Sequence, residues 1–466
     1  MNRREFLKHS TAAVVATSTV LSACTKQQSK HPTTTIGEQE GTMTMRLNPN
    51  TGDEVSLLGF GMMRLPVIDG GSARENQNSQ IDQDLVNEMV DYAISHGVNY
   101  FDTSPAYCQG HSEESTGIAL ARHPRDKYFI ATKLSNFSPQ TWSKEESQKM
   151  FRRSLQYLQT DYVDYLLLHG IGMAGGDKDG MGAFYARYMD NGILDWLVEQ
   201  KKEGHIRNLG FSYHGDINVY DMLLKWHDEG KYHWDFVQIE LNYLDWDYAN
   251  EINPRNTDAR YLYAELAKRG IPAVIMEPLL GGRLARQPEH IANRLRQHNP
   301  TASMAQWAFR FAGTPEDILT VLSGMTYIEH LKENVCTYSP LQPLTEEENT
   351  LLLSVAEDIY GLKAIPCTAC NYCMPCPYGL NIPAIFAHYN KCISEDKMPH
   401  YGDTDQQHYM QQRRAFLIGY DRTVPKLRQA DHCIGCNHCL SHCPQRIDIP
   451  HQMQMIDRFV ERIKQN

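Results

Sequence analysis

Eight of the twelve cysteines lie in two short runs: Cys367, Cys370, Cys373 and Cys376, then Cys433, Cys436, Cys439 and Cys443. Thiolates repeated at this interval suit metal ligation rather than a disulfide framework. Zinc is one candidate, but four-cysteine zinc sites usually draw on separated C-x2-C pairs. A triple run followed by Cys-Pro favours an iron–sulfur group. The remaining Cys24, Cys108, Cys336 and Cys392 stand alone, and all but Cys24 read as small core residues. A second set could move protons. Asp102, Lys133 and His169 each end an apolar run, and Tyr107 follows Asp102 closely. A phenol with pKa of about 10 is protonated at neutral pH and can donate to a carbonyl oxygen. An adjacent ammonium would lower that pKa, and a carboxylate would keep the ammonium charged and oriented. An imidazole can hydrogen-bond the carbonyl oxygen. Singly, each has a dull role as turn cap, packing residue or structural histidine; their joint placement suggests a site.

Such a site needs a frame. Short apolar runs alternate with amphipathic ones from about residue 55 to 340. Candidate strands are Leu57–Gly61, Asn99–Thr103, Tyr128–Thr132, Tyr162–Leu168, Ile206–Ser212, Phe236–Glu240, Pro272–Glu277 and Thr320–Ser323. Between them Leu85, Met89, Tyr92 and Ala93, and later Phe151, Leu155 and Leu158, recur at helical spacing. Eight strand–helix alternations predict an α/β fold of the (β/α)8 TIM barrel type, with a doubly wound sheet as the alternative. A barrel places its chemistry at the C-terminal ends of the strands, where all four proton-handling residues fall. The glycine-rich stretch 171–182, after His169, either shapes the mouth or is an excursion without a role. The barrel is expected over 45–342, then a linker helix in 343–363 with Thr345 and Glu348 spaced as a capping box, then a small, mostly helical cysteine module over 364–466.

The 466 residues are 41% hydrophobic and 22% charged, which excludes wholesale disorder. No run of 18 apolar residues exists, so no ordinary transmembrane helix is expected. A net charge of −11 without a basic block argues against nucleic-acid binding. The N-terminus reads as an address. Arg3-Arg4 before the apolar stretch Thr11–Leu21 resembles a twin-arginine export signal, and Leu21-Ser22-Ala23-Cys24 resembles a bacterial lipobox. The resemblance implies an export signal over 1–23, lipid attachment at Cys24 and a tether over 24–44. The chain would then be a membrane-anchored lipoprotein on the periplasmic side. The plain alternative is an uncleaved amphipathic tail.

The middle of the chain resembles the aldo-keto reductase family. The resemblance is carried by Val55–Pro66 (VSLLGFGMMRLP), Val98–Ala106 (VNYFDTSPA) with Tyr107, Phe129–Lys133 (FIATK), Ser154–His169 (SLQYLQTDYVDYLLLH), Ile206–Ser212 (IRNLGFS) and Glu333-Asn334. It implies a catalytic set of Asp102, Tyr107, Lys133 and His169. It also implies NAD(P)H, with Ser212 and Gln238 at the carboxamide and Glu333 and Asn334 at the adenosine end. Met276 stands where many members stack a tyrosine on the nicotinamide. Gly324 and His330 stand where many place the cations for a 2′-phosphate, which needs them.

The two cysteine runs are an internal repeat that resembles the bacterial two-cluster ferredoxin pattern. By its crossing rule, Cys367, Cys370, Cys373 and Cys443 hold one [4Fe–4S] cluster, and Cys433, Cys436, Cys439 and Cys376 hold the other. Three functions follow. The first is an oxidoreductase interconverting a small carbonyl and an alcohol, exchanging electrons with a donor or acceptor through the clusters. The second is an ordinary NAD(P)-dependent reductase with structural clusters. The third is a non-catalytic electron-transfer lipoprotein, which would have no need of the Asp-Tyr-Lys-His set. One-electron clusters and two-electron hydride need a converter; a flavin serves well, though no flavin motif is present.

Overall fold

The structure, a computed structural model, describes residues 41–251, 256–361, 364–395, 397–399, 406–443 and 445–465. The export signal, Cys24 and the first part of the tether lie outside the described residues. No helix among the described residues is long and apolar enough to cross a membrane.

The chain opens with a two-stranded antiparallel hairpin, β1 (Met45–Leu47) and β2 (Glu54–Ser56). Eight parallel strands follow: β3 (Leu58–Gly61), β4 (Tyr100–Asp102), β5 (Phe129–Leu134), β6 (Val163–Ile171), β7 (Ile206–Tyr213), β8 (Phe236–Glu240), β9 (Ala273–Met276) and β10 (Ile318–Ser323). They pair in chain order and close β10 onto β3, forming the expected (β/α)8 barrel. Apolar side chains fill its interior, with Tyr100, Tyr165, Leu167, Phe236 and Val274 wholly buried. The helix face anticipated from periodicity is real: Met89 and Ala93 on the helix Gln83–Ser95 are fully buried against the sheet. Asp82 caps that helix by accepting from the Leu85 N–H.

Three elements differ most from the sequence reading. β5 runs past Lys133 to Leu134, so Lys133 lies inside the strand rather than at its end. β6 runs on through His169 to Ile171, because Ile171 still pairs with Tyr213 after an irregularity beyond Leu168. His169 is thus inside the strand rather than at its end. The hairpin was not anticipated; it closes the N-terminal end of the barrel. Asn48 Nδ2 donates to the Tyr165 hydroxyl at 2.9 Å, and Asn50 Nδ2 to the Asp235 carbonyl at 2.7 Å, just before β8.

The helix Glu346–Tyr360 carries the expected Thr345–Glu348 capping box. It is no free linker. Leu352, Val355, Ala356 and Ile359 join the barrel core, and Arg310 grips Glu348 through two hydrogen bonds of 2.8 and 2.7 Å. Beyond it, helices Ile382–Ser394, Gln406–Thr423 and Ile449–Gln465 enclose a second, separate core of Ile385, Phe386, Phe416, Met453 and Ile456, with the cysteine loops along its edge. Cys108 and Cys392 are buried as expected, whereas Cys336, on the helix Ile328–Thr337, is only half-buried.

Candidate active site at the junction of barrel and cysteine module

Asp102 ends β4, and Lys133 lies on the neighbouring β5. Both are almost fully buried. Lys133 Nζ donates to Asp102 Oδ1 at 2.6 Å, to Oδ2 at 2.7 Å and to the Thr103 carbonyl at 3.0 Å. Its three protons are therefore all engaged. Burial pushes the Asp102 carboxyl up and the Lys133 ammonium down, and their mutual attraction offsets part of both shifts.

Tyr107 begins a tight turn, Tyr107–Gly110, in which Cys108 and Gln109 are left-handed at φ +49° and +54°. Two successive non-glycine residues in that region cost of order 1–3 kcal/mol each. The turn is held from outside: Cys108 Sγ donates to the Met62 and Met63 carbonyls, and Ser112 Oγ donates to the Met62 carbonyl at 2.8 Å. Lys133 Nζ lies 4.8 Å from the Tyr107 ring centre. The tyrosine pKa is nevertheless raised well above its ordinary value, first by burial and next by the Asp102 charge. This corrects the expectation that Lys133 lowers it: the ammonium is neutralised by Asp102, and the one cation that lowers it notably is Arg74.

His169 is set by a hydroxyl pair. Its Nδ1 meets Ser135 Oγ at 2.6 Å, and Ser135 Oγ meets Ser104 Oγ at 2.8 Å. Phe137 packs against the ring at 4.7 Å between centres, and the Tyr107 ring stands edge-on at 6.0 Å. The His169 carbonyl accepts from Arg187 Nη2, whose Nη1 also reaches the Gly170 carbonyl at 3.2 Å. Arg187 projects from the π-helical turn Tyr185–Met189, a local widening often found at functional sites. Burial, followed by the charges of Lys133, His214 and Arg187, drives the His169 pKa well down. The imidazole is neutral at physiological pH and serves as a hydrogen-bonding group.

Asp102, Tyr107 and His169 face one cavity of about 2410 Å³, with Lys133 beneath them. Ordinary ligand pockets measure about 300–1,000 Å³, and this one is larger because barrel and cysteine module share it. Ser212, Gln238, Glu333 and Asn334 all line it. Ser212 Oγ accepts from the Gly170 N–H at 2.8 Å. Gln238 Nε2 reaches Met276 Sδ at 3.2 Å, while its Oε1 is buried without a partner. Ser303 donates to Glu333, and Asn334 donates to Ser323 at 3.0 Å. The Gly281-Gly282 turn has both glycines at positive φ, and the Gly281 N–H is taken by the Glu277 carboxylate. Of the stretch 171–182, Met173, Ala174, Gly175 and Gly176 line the mouth.

The module meets this mouth directly. Thr368 packs so closely on Gly281 that an added Cβ would lie 2.6 Å from the Thr368 carbonyl oxygen. Asn371 Nδ2 donates to the Arg74 carbonyl, and the Arg74 guanidinium, whose Nη1 meets Met63 Sδ at 3.4 Å, lines the cavity together with Cys370. Tyr372 lines the cavity with Tyr107, close enough for its charge to act on the Tyr107 pKa. From the second loop, Gln445 Nε2 donates to Glu240 Oε1 at 3.3 Å. His214 Nδ1 lies 3.4 Å from the same oxygen. Burial lifts Glu240 well up and takes His214 down to about 4, each toward its neutral form. Arg74, Tyr372, Glu240 and Gln445 escaped the sequence reading as site residues; Tyr372 and Gln445 stand in the cysteine repeats and Glu240 ends a candidate strand, but each matters through contacts far along the chain.

The cysteines fall into two neighbourhoods. The Cys373 thiol is pushed up by burial and then by Cys370, Cys367, Cys443 and Cys439; Cys443 in turn feels Cys370 and Cys367. Cys439 is raised to about 11 by burial and then by Cys433, Cys376 and Cys436. Influence crosses between the runs: Cys373 feels Cys443 and Cys439, and Cys439 feels Cys376.

Comparison with known proteins follows the same division. The aldo/keto reductase family matches residues 58–357, and a 4Fe-4S dicluster domain matches 366–447. L-galactose dehydrogenase of Arabidopsis thaliana is 26% identical over 323 residues, 66% of this chain and 92% of that protein. The NADH-specific methylglyoxal reductase of Escherichia coli (strain K12) is 25% identical, over 62% of this chain and 92% of its own length. The holo form of an aldo-keto reductase from Bacillus halodurans superimposes with a TM-score of 0.51 at 25% identity, covering 67% of this chain and 96% of that one. A closed barrel, and a family match running the length of that barrel, lead to one conclusion: the chain belongs to the aldo/keto reductase family and carries a 4Fe-4S dicluster domain behind its barrel, which makes it an oxidoreductase of carbonyl and alcohol groups.

Proposed function

We propose that the chain interconverts a small carbonyl and its alcohol at Tyr107, and that the cysteine module exchanges the electrons. The observation that carries this is the shared cavity, which Tyr107 and Arg74 of the barrel line together with Cys367, Cys370 and Tyr372 of the module. A module with only a structural task has no reason to sit on the catalytic mouth. Cys367, Cys370, Cys373 and Cys443 would hold one [4Fe–4S] cluster and Cys376, Cys433, Cys436 and Cys439 the other; four cysteines in each run and the 4Fe-4S dicluster match over 366–447 support that assignment. When bound, the clusters supply one-electron transfer and a nicotinamide supplies hydride.

The chain's own residues do the rest. The Tyr107 phenol stays protonated at physiological pH and delivers its proton to the carbonyl oxygen; in the reverse direction it receives one from the alcohol. Neutral His169, its Nδ1 engaged by Ser135, offers its other nitrogen to that oxygen and orients it. Asp102 keeps Lys133 in place beneath the tyrosine ring. Phe137 and Met173 line the mouth and keep water from it. The unpartnered Gln238 Oε1 favours a nicotinamide carboxamide as its donor, which supports a second reading as an NAD(P)-dependent reductase with structural clusters. The names of the relatives, L-galactose dehydrogenase and methylglyoxal reductase, support a small, oxygen-rich substrate.

The test is Tyr107→Phe, which keeps the ring and removes the proton. Turnover should fall about 10²–10⁴-fold with substrate binding little changed; full activity refutes the assignment. The export reading of Arg3-Arg4 and Cys24 is part of the proposal. Replacing both arginines by lysine should retain the precursor in the cytoplasm, and Cys24→Ala should abolish lipid labelling.

A further inference from the structure

The rim beside His169 carries a polar group that the proton transfer at Tyr107 does not use. β6, β7 and β8 are neighbours in the barrel. Just past β7, the His214 N–H donates to the Ile171 carbonyl at 2.9 Å, and one strand further round Glu240 ends β8. His214 and Glu240 line the same cavity as Tyr107 and keep 18% and 19% of their side chains exposed, enough for a ligand atom to reach them. They meet through His214 Nδ1 and Glu240 Oε1, and that oxygen also accepts from Gln445 Nε2. Glu240 Oε2 and His214 Nε2 hold no hydrogen bond among the described residues.

Gln445 comes from the second cysteine loop, and that loop is pressed onto this rim. A Cβ added to Gly215 would lie 2.4 Å from Arg446 Nη2, and the same nitrogen donates to the Gly172 carbonyl at 3.4 Å. Gly215 is also at φ +116°, so both its backbone and its neighbour call for glycine. Gln445 is 3% exposed, and its Oε1 is buried without a partner. Turning the amide over exchanges oxygen for nitrogen and still leaves one atom unpaired. Buried carboxamide atoms are normally satisfied, so this one points to a ligand.

The group that fits is a hydroxyl. Burial holds Glu240 and His214 toward their neutral forms. A carboxyl O–H donates, an imidazole nitrogen or a carboxamide oxygen accepts, and a hydroxyl answers both. A cation would face Lys133 and Arg446, whose charges act on His214. An anion would face Asp245 and Glu277, whose charges act on Glu240. We propose that Glu240 and His214 bind a hydroxyl group of the carbonyl substrate, and that Gln445 of the cysteine module is the residue that positions Glu240 for it. The proposal rests on the carbonyl–alcohol reading above. It gives the module a second task, completing the substrate site as well as exchanging electrons.

The test compares erythrose, a four-carbon aldehyde with a hydroxyl on each carbon beyond the carbonyl, with butanal, the same chain without them. Anaerobic holoenzyme is assayed with NADH or reduced methyl viologen as the electron source. Glu240→Leu and His214→Phe should each lower the ratio of kcat/KM for erythrose to that for butanal about tenfold, because a lost hydrogen bond is read directly in that ratio. Glu240→Gln, which keeps a donor and an acceptor, should restore most of it. Gln445→Leu should lower the same ratio through KM rather than kcat, at unchanged iron and sulfide content. Calorimetric titration of erythrose into Tyr107→Phe protein reads the subsite without turnover: binding should persist there and be lost when Glu240→Leu is added. An unchanged ratio in Glu240→Leu and His214→Phe overturns the subsite. So does a loss of NADH affinity in its place, which assigns the pair to the nucleotide. Erythrose binding that depends on Glu240, in an enzyme that turns over neither aldehyde, upholds the subsite and overturns the carbonyl–alcohol reading instead.

Discussion

Replacing Asp102 by alanine isolates the most consequential contact in the site. The variant leaves Lys133 wholly enclosed, with the Thr103 carbonyl as its one remaining partner. Two routes are open to the ammonium. It can stay charged, and stripping the partner from a buried ion pair costs about 3–5 kcal/mol. Or it can release its proton, which from an ordinary lysine pKa of about 10.4 costs about 4.6 kcal/mol at pH 7. Both routes give a loss of about 3–5 kcal/mol at neutral pH. They part as pH rises. Once the folded variant holds Lys133 neutral, the unfolded chain binds the extra proton, so its stability climbs by about 1.36 kcal/mol per pH unit up to the unfolded pKa. The deficit against wild type should shrink to about 2 kcal/mol at pH 9. Denaturant unfolding of anaerobic protein at pH 7 and 9 measures both values. The double variant Asp102→Leu/Lys133→Met, with no charge left to bury, should recover most of the loss yet remain inactive. A single-variant loss below about 1 kcal/mol, or a double variant as unstable as the single, would refute the view that these groups are held as a buried ion pair.

Other perturbations give separate readings. Arg74→Met removes a positive charge near Cys370 while leaving the backbone carbonyl that Asn371 uses; the midpoint potential of one cluster should fall and the other stay, as read by an electron paramagnetic resonance titration. Glu113 is buried, accepts from Thr132 Oγ1 at 2.6 Å, and has its pKa raised to about 7 by burial. The folded state therefore holds a proton that the unfolded state releases between pH 4.5 and 7, so stability falls across that window. Glu113→Gln should raise the melting temperature at pH 8 and leave it almost unchanged at pH 4. Gln238→Leu should weaken NADH or NADPH by about 1 kcal/mol, roughly fivefold, by fluorescence titration, if the carboxamide meets Oε1.

Much of this was legible in the sequence for identifiable reasons. All eight barrel strands were readable, because each is a short β-branched or aromatic run ending at a turn residue, and Phe236–Glu240 agrees to the residue. The Thr345–Glu348 capping box was readable because it is local. What escaped was non-local. Nothing near Arg74 announces that it will meet Cys370, almost three hundred residues on. The Glu346–Tyr360 helix looked like a linker because its partner Arg310 belongs to another helix. The hairpin strands have three residues each, too few for a period to emerge. The protonation behaviour of Tyr107 was misjudged because burial, which sequence does not display, outweighs the lysine beside it.

The hairpin has one more consequence. Asn48 and Asn50 fasten it across the end of the barrel away from the mouth, and the Thr44 N–H donates to the Tyr338 carbonyl at 2.8 Å. The chain thus enters at the base, while its last hundred residues finish at the rim. A surface coupled at Thr44 itself takes hold of the barrel by its foot. Immobilised there, the protein would keep its mouth and its exposed Cys436 turned outward. An electrode joined at that point would contact the wrong pole for direct electron exchange, and one joined through the cysteine module the right one.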